Sequence, residues 1–193
     1  MIAQIKGRLI EKTPTYVIID CNGVGYQINI SLNTYSKIDA DEFCLLHTHM
    51  IVREDAQLLY GFKDKSEREL FRLLISVSGV GSATAMMILS SLTATEIKGA
   101  ISTGDVNTLK GVKGIGAKSA QRIIIDLRDK IGKVGESDIN FAVSNNTIKD
   151  EALSALIMLG FAKKPAEVAL NKILTVSEDM SVEQLIKQTL KSL

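Results

Sequence analysis

Through the first 62 positions apolar residues alternate with polar or turn residues, in runs such as 16–20, 25–30 and 43–52. A period of two is the mark of strands with one buried face. Pro14 and Asn22-Gly23 punctuate these runs, and Asn-Gly is a strong signal for a tight hairpin turn. About five short strands in so few residues predict a small closed barrel, although a two-sheet sandwich satisfies the same pattern. Beyond residue 64 the period becomes helical. Ser66-Glu67-Arg68-Glu69 and Thr93-Ala94-Thr95-Glu96 both predict a capping box at a helix start. Periodicity fades over 133–146, where Gly, Ser and Asn lie among polar residues, and a flexible linker is expected there. The tail resumes with three short helices: about 147–159 ending at Gly160, then 165–174 with Pro165 in its first turn, then one opened by Ser181-Val182-Glu183-Gln184. Leu153, Leu156, Ile157, Val168, Ile173, Leu185, Ile186 and Leu190 are expected to form its core. The predicted domains are 1–63, 64–132 and 147–193, with 133–146 as the linker.

Inside the helical segment the chain repeats itself. Val77-Ser78-Gly79-Val80-Gly81-Ser82-Ala83-Thr84-Ala85 returns as Val112-Lys113-Gly114-Ile115-Gly116-Ala117-Lys118-Ser119-Ala120, an offset of 35, and Leu74/Leu109, Ile88/Ile123 and Leu92/Leu127 hold the same register. Each copy reads as helix, Gly-hydrophobic-Gly turn, helix. Glycines at such a turn let a ligand approach the backbone closely, and a helix N-terminus presents amide hydrogens to an anion. Ala85 and Ala120 are small enough for the paired helices to pack tightly. Both copies resemble helix-hairpin-helix motifs, which bind the DNA phosphate backbone without reading its sequence. The candidate phosphate-binding residues are Gly79, Val80, Gly81 and Ser82 in the first copy. Those in the second are Lys113, Gly114, Ile115, Gly116, Lys118 and Arg122.

Charge supports this placement. The net charge of +1 conceals a balance of +4 over 64–133, with 11 Lys/Arg against 7 Asp/Glu, between flanks of −1 and −2. The positive segment coincides with the repeat, as an electrostatic footprint on nucleic acid requires. A nucleotide-binding loop is excluded, because Gly116 precedes Ala117 where such a loop needs Lys, and the sister copy has no Lys-Ser pair. Neither an ATP site nor another cofactor is expected. His47 and His49 share a strand face, but no further ligand completes a metal site, and Cys44 falls on the opposite parity. Cys21 and Cys44 lie in strand-like runs and read as buried thiols rather than a disulfide. The barrel's aromatics, Tyr16, Tyr26, Tyr35, Phe43, Tyr60 and Phe62, could stack bases; the alternation of Tyr26 with Ile28, and of Tyr60 and Phe62 with Leu58, favours packing instead. No run approaches the ~20 apolar residues that span a bilayer, and residues 1–6 lack a signal-peptide layout, so cytoplasmic residence is expected.

Arg53-Glu54-Asp55-Ala56 interrupts the strands just before Leu58-Leu59-Tyr60-Gly61-Phe62 and should project two carboxylates from a turn. On this stretch, Val52 to Phe62, together with the order barrel, tandem hairpins, linker and tail, the whole chain resembles the RuvA family of bacterial Holliday-junction binders. The resemblance implies a multidomain β + α protein: an N-terminal OB-fold barrel, a tandem helix-hairpin-helix domain, a flexible linker and a C-terminal three-helix module of the ubiquitin-associated type. It implies a non-catalytic homotetramer that lays one face on an open four-way DNA junction, or two tetramers that sandwich it. A RuvB-type hexameric ATPase would dock on the tail, where Leu159-Gly160-Phe161 matches the loop of such modules, and a RuvC-type junction resolvase is a further candidate partner. Glu54 and Asp55 would form an acidic pin at the junction centre. One departure is that Ser82-Ala83 stands where relatives commonly place a basic residue. Two other classes share parts of this pattern: helix-hairpin-helix glycosylases or nucleases, and general single-strand binders. Asp126 and Asp129 follow the second turn, but they alternate with Arg128 and Lys130 as a solvated face does.

Overall fold

The computed structural model describes residues 1–39, 42–132, 145–175 and 180–193, with the backbone alone at 145–147. The chain divides between Ser137 and Asp138 into two compact units.

The first unit begins with five strands: β1 (Gln4–Lys12), β2 (Tyr16–Cys21), β3 (Val24–Ile30), β4 (Phe43–Val52) and β5 (Gln57–Phe62). They close in the order β1-β2-β3-β5-β4, and a barrel, not a sandwich, is formed. Asn22 and Gly23 both take positive φ, 54° and 90°, as the tight turn between β2 and β3 demands. Only β3 and β5 pair in parallel, at Asn29↔Tyr60 and Ile30↔Gly61, while β4 closes the ring antiparallel to β1 at Ile5↔Leu46. Inward positions supply the core: Ile5, Val17, Ile19, Ile28, Ile30, Cys44, Leu46 and Leu59. Cys44 is buried and Cys21 half-buried, both as free thiols.

Helix α1 (Leu32–Lys37), between β3 and β4, was not legible in the sequence pattern. Ser31 caps it by accepting from the Thr34 amide at 3.0 Å. This short helix is the bracket between the barrel and the helices that follow, α2 (Lys65–Ile75), α3 (Ser82–Ser91), α4 (Ala94–Thr103), α5 (Val106–Lys110) and α6 (Ala117–Ile131). The capping box expected at Ser66–Glu69 does not form: α2 starts after Asp64, whose side chain makes no cap. Glu67 is instead turned inward and buried, where its carboxylate accepts from the Ser31 hydroxyl and, at 2.8 Å, from the Thr34 hydroxyl. The Thr34 oxygen in turn accepts from the Lys63 amide at 3.1 Å. Two buried hydroxyls needing an acceptor outweigh one local cap. By contrast the box at Thr93 and Glu96 forms as expected, and Gly104 ends α4 in the left-handed region.

Burial holds the Glu67 carboxyl above its ordinary value of 4.5, against the Ser31 and Thr34 hydrogen bonds, which pull it down. A raised folded-state pKa means that this group's contribution is complete below about 4.5 and is lost as pH rises through the folded value. Glu67→Gln, which does not titrate, should therefore gain stability relative to the parent as pH rises from about 4.5. Urea midpoints of both proteins at several pH values check this, and a constant difference would refute it.

Tyr60 and Phe62 leave the barrel on its outer side and join a second core made mostly of helix residues, among them Leu70, Phe71, Leu74, Val77, Ala85, Ile88, Ile101, Leu109, Ala120, Ile123 and Leu127. Tyr60 and Phe62 thus pack as expected, as do Tyr26 and Tyr35 against the barrel core; Phe43 differs and stands exposed, and Tyr16 joins neither core, its hydroxyl donating to Glu11 at 2.7 Å. Ala85 and Ala120 have no exposed surface, so the paired helices approach closely there.

The second unit holds α7 (Asn145–Met158), α8 (Lys163–Leu174) and α9 (Val182–Ser192). The linker expected at 133–146 lies outside the described residues except for 145 and 146, which already belong to α7. Ser181 and Gln184 form the expected capping box. Of the expected core, Leu153, Leu156 and Leu185 are buried and Ile173 and Ile186 pack against them, but Ile157, Val168 and Leu190 are exposed. The seam is filled by Ala152, Ala166, Leu170 and Thr189 instead. Small residues at the crossings draw the helices close and leave no room for longer side chains beside them.

Candidate nucleic-acid interface

Both repeated turns have the same backbone. Gly79 and Gly114 take φ of 87° and 88°, and the Val80 and Ile115 amides close the turns onto Val77 and Val112 carbonyls at 3.0 and 3.1 Å. A positive φ at the third position of a four-residue turn is what glycine supplies. Two residues on, Gly81 and Gly116 cap α3 and α6 with φ of −82° and −83°, and neither cap is a side chain. Ala85 and Ala120 donate back to the Gly81 and Gly116 carbonyls at 2.9 and 3.0 Å, so amides ahead of them have no partner within the helix. These amides and the positive ends of two helix dipoles form the candidate anion sites.

Val80 and Ile115 are buried, and their amides are engaged in the turns, so they hold the site's shape rather than face a ligand. Ser82 is also buried; its hydroxyl accepts from Tyr60 at 2.9 Å, which fixes the start of α3 to the barrel. At the other end of α3, Asn33 donates to the Leu89 and Leu92 carbonyls at 2.6 and 2.9 Å. The barrel therefore grips α3 at both ends and sets the direction of the first turn. Sequence reasoning missed Asn33, because α1 itself gave no periodic signal.

Lys113, Lys118 and Arg122 are exposed. Arg122 reaches across to the first copy, where its guanidinium donates to the Ser78 carbonyl at 3.4 Å, so both turns share one region of surface. Glycine plays two different roles here. A Cβ on Gly81 or Gly116 would touch nothing within 4 Å, and their φ values suit any residue, so nothing inside the protein requires glycine there. Gly79 and Gly114 are required by their φ. We expect Gly114→Ala to cost about 1–2 kcal/mol of stability. Gly116→Thr, with a cap as good as glycine, should leave the urea midpoint unchanged while weakening DNA binding several-fold. Equal affinity for the Thr variant would show that no ligand approaches that turn.

Glu54 and Asp55 stand exposed at the tip of the β4–β5 hairpin, whose ends are joined by the Arg53 amide donating to the Ala56 carbonyl at 2.8 Å. Of the two histidines on β4, His49 packs edge-on against Phe71 with ring centroids 5.6 Å apart and accepts from Arg72 at 3.4 Å. Burial, then Arg72, hold its imidazole below the ordinary value. Among the described residues no group of three His, Cys, Asp or Glu is placed to hold a metal ion. Asp126, Arg128, Asp129 and Lys130 are all exposed on α6. In the second unit α7 ends in a left-handed Gly160, φ 99°, with Phe161 and Gly160 amides donating to the Leu156 and Ile157 carbonyls at 3.1 and 3.0 Å. This paired closure satisfies the last carbonyls and leaves Met158 and Leu159 exposed while Phe161 packs inward. Among the described residues no helix is long and apolar enough to cross a membrane.

A closed five-stranded barrel that holds a tandem pair of Gly-hydrophobic-Gly hairpins with their helix starts open, followed by a separate three-helix unit, defines a helix-hairpin-helix protein of the DNA-binding class. Three family profiles cover the chain in that order: "RuvA N terminal domain" over residues 1–61, "SAM-like Helix-hairpin-helix tandem" over 71–129 and "RuvA, C-terminal domain" over 147–193. Curated relatives named "Holliday junction branch migration complex subunit RuvA" are similar over the full length of both chains. They include proteins of Christiangramia forsetii at 55% identity, Flavobacterium psychrophilum at 53% and Bacteroides fragilis at 50%. The chain belongs to the RuvA family.

Proposed function

We propose that this protein binds four-way DNA junctions in an open form and positions a RuvB-type hexameric ATPase that drives branch migration in recombination and repair. The observation that carries the reading is the pair of like turns, both opening a helix, brought onto one surface by the reach of Arg122 to Ser78. Two phosphate sites at a fixed separation, held by a barrel that grips α3 at both ends, position a backbone without reading bases. The full-length relatives carry the junction in their names.

In this reading Gly79, Gly81, Gly114 and Gly116 admit the phosphates, Lys113, Lys118 and Arg122 neutralise them, and Val80, Ile115 and Ser82 fix the turns. Glu54 and Asp55 act at the junction centre. Four copies around the junction bring four such hairpin tips together, either as one tetramer or as two that enclose the DNA. The chain is the non-catalytic subunit; ATP is hydrolysed by the partner, and no cofactor is bound. The second unit receives that ATPase through the exposed apolar surface beside Leu159, Gly160 and Phe161, and a RuvC-type resolvase shares the junction. The complex works in the cytoplasm.

Competition of a labelled four-way junction against linear duplex and single strand tests the reading. We expect the junction to win by at least tenfold; equal competition by single strand would support the general single-strand binder instead. Junction cleavage by the pure protein with Mg²⁺ would support a nuclease. A chain ending near residue 133 should keep junction binding and lose stimulation of the ATPase.

A further inference from the structure

The two hairpins are alike in backbone and unlike in charge. At the three positions where the second copy carries Lys113, Lys118 and Arg122, an offset of 35 places Ser78, Ala83 and Met87 in the first. All the cations of the repeat register thus belong to one copy. A phosphate at the first turn would meet helix-start amides and the dipole of α3, but no cation from that turn or from α3. One of the second copy's cations does not stay at home: the Arg122 guanidinium lies 3.4 Å from the carbonyl of Ser78, within the first turn itself. Met87, its register partner, has no group with which to return the contact. The exchange is one-way.

We propose that Arg122 is the phosphate cation of the first hairpin, supplied from the second, and that Lys113 and Lys118 alone serve the second. The proposal rests on the phosphate-binding reading above and refines it. The geometry suits the task. A guanidinium has five N–H donors in a planar fork, so one donation to the Ser78 carbonyl leaves others for a phosphate oxygen beside the turn. That single donation also pre-orients the fork, so less side-chain freedom is lost when the anion arrives. Arg122 is exposed, so DNA can reach it. Because the same contact joins the two turns, the arginine couples them: the second hairpin must be folded for the first to hold its charge. Two sites that look independent in the sequence are then one device with a fixed separation.

The test uses the full chain, a fluorescent four-way junction and a double-substitution cycle. Gly81→Thr closes the first turn to phosphate and Gly116→Thr closes the second; neither added Cβ meets protein within 4 Å. Arg122→Ala alone should weaken binding roughly tenfold, in line with one charged hydrogen bond, and flatten the salt dependence by about one unit. In the Gly81→Thr background that loss should nearly vanish, and in the Gly116→Thr background it should persist in full. Lys118→Ala should behave in the opposite way. A second route avoids closing either turn: Ala83→Lys, the register equivalent of Lys118, should restore affinity and salt slope to Arg122→Ala but not to Lys118→Ala. If Arg122→Ala adds equally to both closures, couples to Gly116→Thr instead, or is not rescued by Ala83→Lys, the assignment to the first hairpin is overturned. If Lys118→Ala and Gly116→Thr also leave binding unchanged, the phosphate reading of the hairpins fails as a whole. The Lys118 control therefore separates failure of the refinement from failure of the reading beneath it.

Discussion

Phe71→Ala is expected to lower the stability of the barrel and hairpin unit by about 3–5 kcal/mol, the usual cost of removing a fully buried phenylalanine. Phe71 has no exposed surface, and its ring lies 5.0 Å from that of Tyr60 and 5.1 Å from that of Phe62, centroid to centroid. Those two partners come from β5, whereas the rest of the cluster comes mostly from helices. The substitution therefore opens a cavity where the barrel meets the hairpins. Against a total of about 5–15 kcal/mol for a typical domain the loss is large, and it should move the urea midpoint down by roughly 2 M at an ordinary denaturant slope. Because β5 lines the shared core, barrel and helices should lose structure together, in one transition. Far-ultraviolet circular dichroism and tyrosine fluorescence followed through the same titration check this. A barrel that outlasts the helices in the variant would show that its own core, around Ile19, Ile28 and Leu46, is sufficient. The functional corollary is direct: the barrel aims the first turn through Tyr60 and Asn33, so a loosened joint should weaken junction binding even where the protein is still folded.

What could be read from the sequence follows from which constraints are local. The turns were legible twice over, because a φ near +87° at Gly79 and Gly114 is a steric demand that the chain answers with the same residue each time. The hairpin at Asn22-Gly23 was legible for the same reason. The barrel was legible as alternation, but its closure was not, since the parallel pairing of β3 with β5 joins residues about thirty apart in sequence. Where a local pattern competed with a distant one, the distant one won. Ser66 and Glu69 have the spacing of a capping box, yet the polar groups of Ser31 and Thr34, more than thirty residues away, draw Glu67 inward and set the helix start elsewhere. In the candidate site the exposed cations and glycines were found from sequence, whereas the inward turn of Ser82 depends on Tyr60. The reach of Arg122 to Ser78 depends on how α6 lies beside the first turn. Neither is a property of any local window. The tail's Val168 was expected inside because it is apolar, but Ala166 and Leu170 define the buried face of α8, and a residue midway between them on a 3.6-residue turn points away.

The last expectation concerns Glu54 and Asp55, which gain nothing in affinity by facing phosphates. They stand at the tip of a hairpin whose base is locked by the Arg53–Ala56 hydrogen bond, with both side chains exposed and no partner to turn them aside among the ion pairs of the described residues. A stiff two-strand stalk carrying two negative charges is suited to repulsion at a fixed place. In water a pair of unit charges ~6 Å apart interacts by about 0.7 kcal/mol, a factor of about three. In the proposed assembly, two carboxylates per copy gathered around a symmetric centre would present several such terms against the ~1.4 kcal/mol of one base-pair stacking step. That is enough to disfavour continuous duplex across the centre and to hold crossing strands apart, and too little to prevent binding by the hairpins. The double substitution Glu54→Gln with Asp55→Asn removes the charge while keeping the shape. It should keep or tighten overall DNA affinity, lower the preference for junction over linear duplex by about three- to tenfold, and change the rate of branch migration by the partner ATPase. The selectivity loss should shrink as salt rises, because the repulsion is screened over about 10 Å at 0.1 M. A solvated turn without function predicts no change in selectivity, in rate or in their salt dependence. Junction and duplex affinities measured side by side for parent and variant at two ionic strengths distinguish the two, and unchanged selectivity at low salt would rule out the pin.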